Sequence, residues 1–144
     1  MANALFPKAK QGFMDGKINA LTGVFKVALV SGYTYDATDE FMSDVVAGGG
    51  TVAATSAALT ALAYALGVFN ADPITWAAVA AGAACSCYIT YQASAPAGGA
   101  DVANTAQHVV LFTDTVSAGA LPITPNGSDI LITWDTGANK IFVI

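Results

Sequence analysis

The sequence predicts a mainly β fold: a single-domain antiparallel β-sandwich or barrel of about seven to eight short strands with a short N-terminal helix. Three observations lead there. Short runs rich in Val, Ile, Phe and Tyr recur between clusters of Gly, Pro, Asn and Asp, the spacing of strands and turns. Residues 84–92 alternate, with Cys85, Cys87, Ile89 and Tyr91 on one face and Ser86, Tyr88, Thr90 and Gln92 on the other. A length of 144 residues fits one domain, divided into an N-terminal helix or arm over 1–23 and a β body over 24–144.

The elements follow in order. Pro7 suits the first position of a helix, Gly16 suits the residue past its end, and Ala9, Phe13 and Met14 supply an apolar stripe. Residues 24–30 read as a strand ended by Ser31 and Gly32, with Phe25, Val27 and Leu29 toward the core and Lys26 away from it. Residues 31–50 read as loop, closing on the connector Gly48, Gly49 and Gly50. Region 52–66 is ambiguous between strand and helix. Leu59, Leu62, Ala63 and Leu66 have helical spacing, whereas Thr51, Val52, Thr55 and Thr60 favour extended chain, the preferred reading. Gly67 interrupts before Val68 and Phe69, and residues 70–73 form a turn. Ile74, Thr75 and Trp76 begin a strand that runs to Val79; 84–92 is a half-buried strand; 94–99 is a loop; 108–113 is a strand ended by Asp114. Residues 122–127 are rich in turn formers, and 130–134 and 141–144 are strands joined by a hairpin over 135–140. The apolar Ile144 is expected to be packed.

Only 10% of the residues are charged, against an average of about 25%. There is no Arg, one Glu (Glu40) and one His (His108), and the net charge is −5. Without clustered cations, nucleic acid is not an expected partner. Charge is unevenly placed: residues 1–26 hold four Lys and one Asp, whereas 27–144 hold Lys140 and nine carboxylates. A basic head on an acidic body favours contacts between copies, and Lys8, Lys10 and Lys17 are the candidate protein-interaction residues. Two charge-free stretches, 45–71 and 73–100, are long enough to span a bilayer. Both are interrupted by Gly, Pro, Thr and Ser, so no membrane partner is expected. The first residues lack the apolar core of a secretory signal, which implies a cytosolic product or one assembled in the cytosol.

The inventory of reactive groups predicts no enzyme, cofactor or metal site. Cys85 and Cys87 share a strand face at a spacing that strains a disulfide, and read as two small buried hydrophobes. Gly48 to Gly50 lack the Lys and the helix start of a phosphate-binding loop. His108 and Asp114 would lie about 20 Å apart on a continuous strand, too far for a catalytic pair. Asp36, Asp39 and Glu40 match no calcium-loop spacing and read as a solvated acidic loop. Trp76 and Trp134 read as core or interface anchors.

Three stretches carry a resemblance. The first comprises MANALFPK at 1–8, GFMDG at 12–16 and FKVALV at 25–30. The second is GVFNADPITW at 67–76, and the third joins LPITPNGSDI at 121–130 to TWDTGANKIF at 133–142. Together they resemble a group of small virion-associated proteins of tailed bacteriophages, a likeness of framework without a catalytic motif. The Ala-rich 52–66 region departs from the pattern. The resemblance implies a non-enzymatic structural protein located in the virion and assembled in the host cytoplasm. Position in the particle does not follow from the resemblance; low charge density, which suits broad and close contact, makes a capsid decoration (cement) protein the leading expectation, homo-oligomeric, with the major capsid protein and copies of itself as partners. The alternatives are a tail, neck or fibre component, or a host-surface or carbohydrate-binding module with Tyr33, Tyr35 and Trp76 as a platform.

Overall fold

Backbone pairing organises the chain into antiparallel sheets in the computed structural model, which describes residues 3–116, 121–134, 137 and 140–144. The strands are β1 (Ala4–Leu5), β2 (Phe25–Ser31), β3 (Thr51–Thr55), β4 (Ala63–Ala65), β5 (Val68–Asn70) and β6 (Ile74–Trp76). They continue with β7 (Cys85–Gln92), β8 (Ser94–Ala95), β9 (Gly98–Asp101), β10 (His108–Thr113), β11 (Ile130–Ile132) and β12 (Phe142–Val143). Helices α1 (Pro7–Met14) and α2 (Met42–Ala47) and a single 3-10 turn (Asn104–Ala106) complete the described elements. A five-stranded sheet runs β1-β10-β7-β2-β3; β12-β5-β4 form a second sheet, and β11-β6 and β8-β9 are two-stranded. The fold is mainly β, as expected, and finer than the seven or eight strands predicted.

Helix α1 begins on Pro7, whose missing N–H costs nothing in the first turn, and is followed by Gly16 with φ +73°. Of the stripe expected to be apolar, Ala9 is buried and Phe13 packs partly buried against the core, and only Met14 departs. Ala9 and Gly12 are buried, whereas Met14 is 82% exposed, because the helix lies on Phe6 and Ile18 through its small residues. Nor is the N-terminal segment a free arm: β1 pairs with β10, and Phe6 is fully buried in the core.

Strands β2 and β7 were both expected to bury one face, and both bury two. Ala28 and Val30 are as deeply buried as Val27 and Leu29, and Tyr88, Thr90 and Gln92 are buried beside Ile89 and Tyr91. The cause is position. These two strands are interior to the five-stranded sheet and are covered on both sides.

Residues 31–50 are not all loop, since they contain α2. The Asp44 carboxylate reaches back to accept the backbone N–H of Glu40 and Phe41 at 3.0 and 2.9 Å, capping the helix from its third position. No Ser or Thr announces this cap, and one and a half turns carry too little periodicity to be seen. The glycine run is a helix terminator: Gly49 takes φ +96°, and the Gly50 N–H donates to the Val45 carbonyl at 2.9 Å.

Region 52–66 contains no helix. β3 pairs with β2, the Val27 N–H donates to Ser56 Oγ at 2.9 Å, and the Leu59 N–H donates to the Phe25 carbonyl at 2.8 Å. β4 and β5 then form a hairpin across Leu66 and Gly67, at φ +54° and +79°. Both central residues are left-handed, the geometry of a two-residue type I′ turn, which favours Asn followed by Gly. Leu66 is therefore strained as well as 100% exposed. Leu66→Asn should raise stability by about 1 kcal/mol, read as a higher urea midpoint with an unchanged slope.

Further corrections concern the later strands. Residues 94–99 contain β8 and the start of β9, and the strand from Ile74 stops at Trp76, before Ala78 at φ +47°. β11 pairs with β6 and β12 pairs with β5, so the two C-terminal strands do not form the hairpin expected between them. Residues 135, 136, 138 and 139 of that connection lie outside the described residues. Ile144 is 57% exposed rather than packed, and its N–H donates to the Gly67 carbonyl at 3.0 Å.

Aromatic rings join the sheets. Phe25 on β2 meets Phe69 on β5 at 5.2 Å, Phe69 stacks on Phe142 at 4.8 Å and 8°, and Phe142 meets Phe13 of α1 at 6.1 Å. Trp76 packs β6 onto the large sheet, its Nε1 donating to the Val27 carbonyl at 3.3 Å.

Candidate functional site: a charged corner and an uncharged flank

The candidate lysines lie at one corner of the molecule. Lys8 on α1 and Lys17 just after it each place Nζ 3.9 Å from the Glu40 carboxylate, while Lys10 lies on the exposed surface of α1. The basic head therefore meets acid within its own chain first. Such exposed pairs contribute little to stability, since water screens them and ordering the side chains costs entropy.

Beside them runs an open groove of about 780 Å³, lined by Tyr33, Tyr35, Phe41, Asp36, Asp39 and Asp44 among others. The acidic loop is organised by hydrogen bonds. Tyr33 Oη donates to Asp39 Oδ2 at 2.6 Å, and the Thr38 N–H and hydroxyl both donate to Asp36 Oδ1, at 2.8 and 2.7 Å. Those donors hold Asp36 below the usual carboxylate range, whereas burial pushes Asp39 above it. Burial, and the bond to Asp39, push the Tyr33 phenol well above its ordinary value. The three acids point to different partners: Asp36 to Thr38, Asp39 to Tyr33, and Glu40 toward the lysines. Among the described residues no three His, Cys, Asp or Glu side chains gather as metal ligands would.

The platform drawn from Tyr33, Tyr35 and Trp76 is not an exposed surface. Trp76 is 2% exposed, packed against the large sheet, and Tyr33 is 5% exposed, so neither ring face is open to a sugar. Cys85 and Cys87 are free and buried, as expected; burial raises both thiols, Cys87 to about 11, leaving it protonated and inert. His108 rests its ring against Phe41 at 4.7 Å, and Asp114 follows the far end of the same strand.

The opposite feature of the surface is a lack of charge. β3 is an edge strand of the large sheet, reads TVAAT, and is exposed along most of its length. In the second sheet Ala65, Val68 and Val143 are cross-strand partners and share the face opposite Phe69 and Phe142. Ala63 and Asn70 continue that face, and the fully exposed Leu66 stands at its tip. Neither β3 nor this face was singled out from the sequence. The available signal was a Leu directly before Gly between two strands, a bulky residue where turn chemistry favours Asn.

No known protein family, characterised protein or solved structure matches this chain. Among the described residues no helix is long and apolar enough to cross a membrane.

Proposed function

We propose that this chain is a non-enzymatic structural protein of a tailed-bacteriophage particle, most specifically a decoration protein on the outer capsid. The observation that carries the reading is the uncharged flank. An uncharged edge strand with no further strand on its outer side among the described residues is the surface natural monomers usually block with Lys, Pro or a covering loop. Left open, it suits strand addition by a neighbour, and few ions need desolvating when it is covered. The partners are the major capsid protein and other copies of this chain. Binding only the assembled shell stabilises that shell by mass action. The resemblance of both ends and the middle of the sequence to small virion proteins supports the same reading.

The test is to add purified protein to undecorated capsids and measure occupancy. Val52→Lys, on the exposed edge, should weaken binding by about tenfold, the equivalent of about 1.4 kcal/mol. Lys10→Glu, on the exposed surface of α1, tests the basic head separately. Truncation of the first residues is unsuitable, because it removes β1 and Phe6 from the core. Equal occupancy by both variants and the parent would overturn the contact surface. Imaging the particle separates the readings of position: copies on every capsomer mean decoration, and a single ring at one vertex means neck or tail.

A further inference from the structure

The only Glu and the only His of the chain face each other where three elements meet. His108 opens β10, and its side chain is 12% exposed. Beside it the Val109 N–H donates to the Glu40 carbonyl at 3.0 Å, and the Met42 N–H donates to the Gln107 carbonyl at 2.9 Å. Those two bonds, with the Phe41 ring tilted against the imidazole at 4.7 Å, stitch the loop before α2 to the start of β10. On its other side the Glu40 carboxylate is shared. Oε1 lies 3.9 Å from both His108 Nδ1 and Lys17 Nζ, and Oε2 lies 3.9 Å from Lys8 Nζ. Each separation exceeds hydrogen-bond length, so these side-chain charges act on one another through space while the two backbone bonds make the joint.

We propose that His108, with Glu40, forms an acid-sensitive latch joining residues 40–42 and the α1 corner to the start of β10. Burial of the imidazole decides the direction, and the charges around it modulate it. Glu40 faces it from the loop, Lys17 from the turn after α1 and Lys8 from α1 itself. Asp15 borders the same small crevice as Lys8, Lys17 and Glu40, and Asp44 of α2 is engaged with the backbone N–H groups of Glu40 and Phe41. From β7 the residue opposite His108 is the uncharged Gln92. With a neutral imidazole, one carboxylate faces two ammonium groups. Protonation adds a third cation, on the one side chain of the four that is largely withdrawn from water.

Burial, and secondarily Lys17, disfavour the imidazolium, while Glu40 favours it; burial prevails and holds His108 below its ordinary range. A base with a lowered pKa in the closed corner takes its proton more readily when the corner is open. Acid therefore shifts the equilibrium toward opening, beginning as pH falls through the ordinary histidine range.

A single histidine makes the test direct, because the imidazole signals in an NMR titration need no assignment. Amide exchange at Met42 and Val109, the two donors across the joint, reports opening. Corrected for intrinsic exchange, their protection should fall severalfold between about pH 8 and pH 5, and should stay flat in His108→Gln. Glu40→Gln should move the imidazole midpoint down and Lys17→Met should move it up, each measurable if His108→Gln folds poorly. Protection that is independent of pH in the parent, an equal acid response in His108→Gln, or midpoints unmoved by both charge variants would each overturn the latch.

Discussion

Phe69→Ala removes about 3–5 kcal/mol of folding stability, the expected cost of truncating a buried aromatic side chain in a packed core. Phe69 is the middle ring of the row Phe25, Phe69, Phe142 and Phe13, which ties the large sheet, the second sheet and α1 together. Without it, Phe25 and Phe142 lose their common neighbour, and rings held on separate elements cannot collapse fully into the space. A domain has about 5–15 kcal/mol in total, so the variant should be close to unfolding. Urea denaturation followed by the fluorescence of Trp76 and Trp134 measures this. Met14→Ala is the matched control. That side chain belongs to the stripe the sequence assigned to the core yet stands in solvent, and its loss should change stability by less than about 0.5 kcal/mol. A large loss from Met14→Ala, or a small one from Phe69→Ala, would contradict this account of the core.

The second large effect is expected at Gln92. Its side chain is fully buried at the end of β7. Oε1 accepts the Asn19 N–H at 2.8 Å, while Nε2 donates to the carbonyls of Lys17 and Ser94 at 3.0 and 3.2 Å. One amide thus satisfies three backbone groups and fastens the segment after α1 to the sheet. Gln92→Leu keeps much of the volume and strands those groups, at a cost of about 1–3 kcal/mol for each one that water cannot reach. Loosening should be local as well as global. The chain contains no Arg, so trypsin can cut only after its five lysines, and Lys17 sits directly on this tie. Cleavage after Lys17 should accelerate severalfold in Gln92→Leu under conditions where the rest of the chain stays folded. An unchanged rate there would mean that the N-terminal segment is held by Phe6 and β1 alone.

These two residues show where sequence pattern is informative. Phe69 was legible as apolar and extended, since it lies in a short run of Val and Phe between turn residues. Gln92 was placed on the polar face of an alternating strand, and alternation predicts one face in water. Beyond Ser86, which stays exposed, the strand has water on neither face, because β2 and β10 flank it and both sides of the sheet are covered there. Polarity then means a buried hydrogen-bonding role instead of exposure. The same inversion moved Ala28 and Val30 inside. Helix α2 escaped notice for a different reason: its cap is an Asp three residues into the helix, and six residues are too few to set up a 3.6-residue period.

The candidate site divides in the same way. Lys8, Lys10 and Lys17 stand out as the chain's concentration of cations, and the structure leaves them at the surface. Composition could not reveal that Glu40 and His108 meet at that corner, for they are sixty-eight positions apart in the chain. Nor could it reveal that Trp76 is buried against the large sheet, or that β3 ends up at the rim of its sheet among the described residues.

What is legible from the chain alone is local: β-branched and aromatic runs that extend, turn residues that break them, and Pro7 and Gly16 around the first helix. These follow from side-chain shape and backbone sterics, which act within a few residues. The tertiary structure alone decided which strand is interior, which lies at the rim and which distant charges share a corner. Burial and Coulomb interaction depend on neighbours in space, and in an antiparallel fold of short strands those neighbours come from remote parts of the chain.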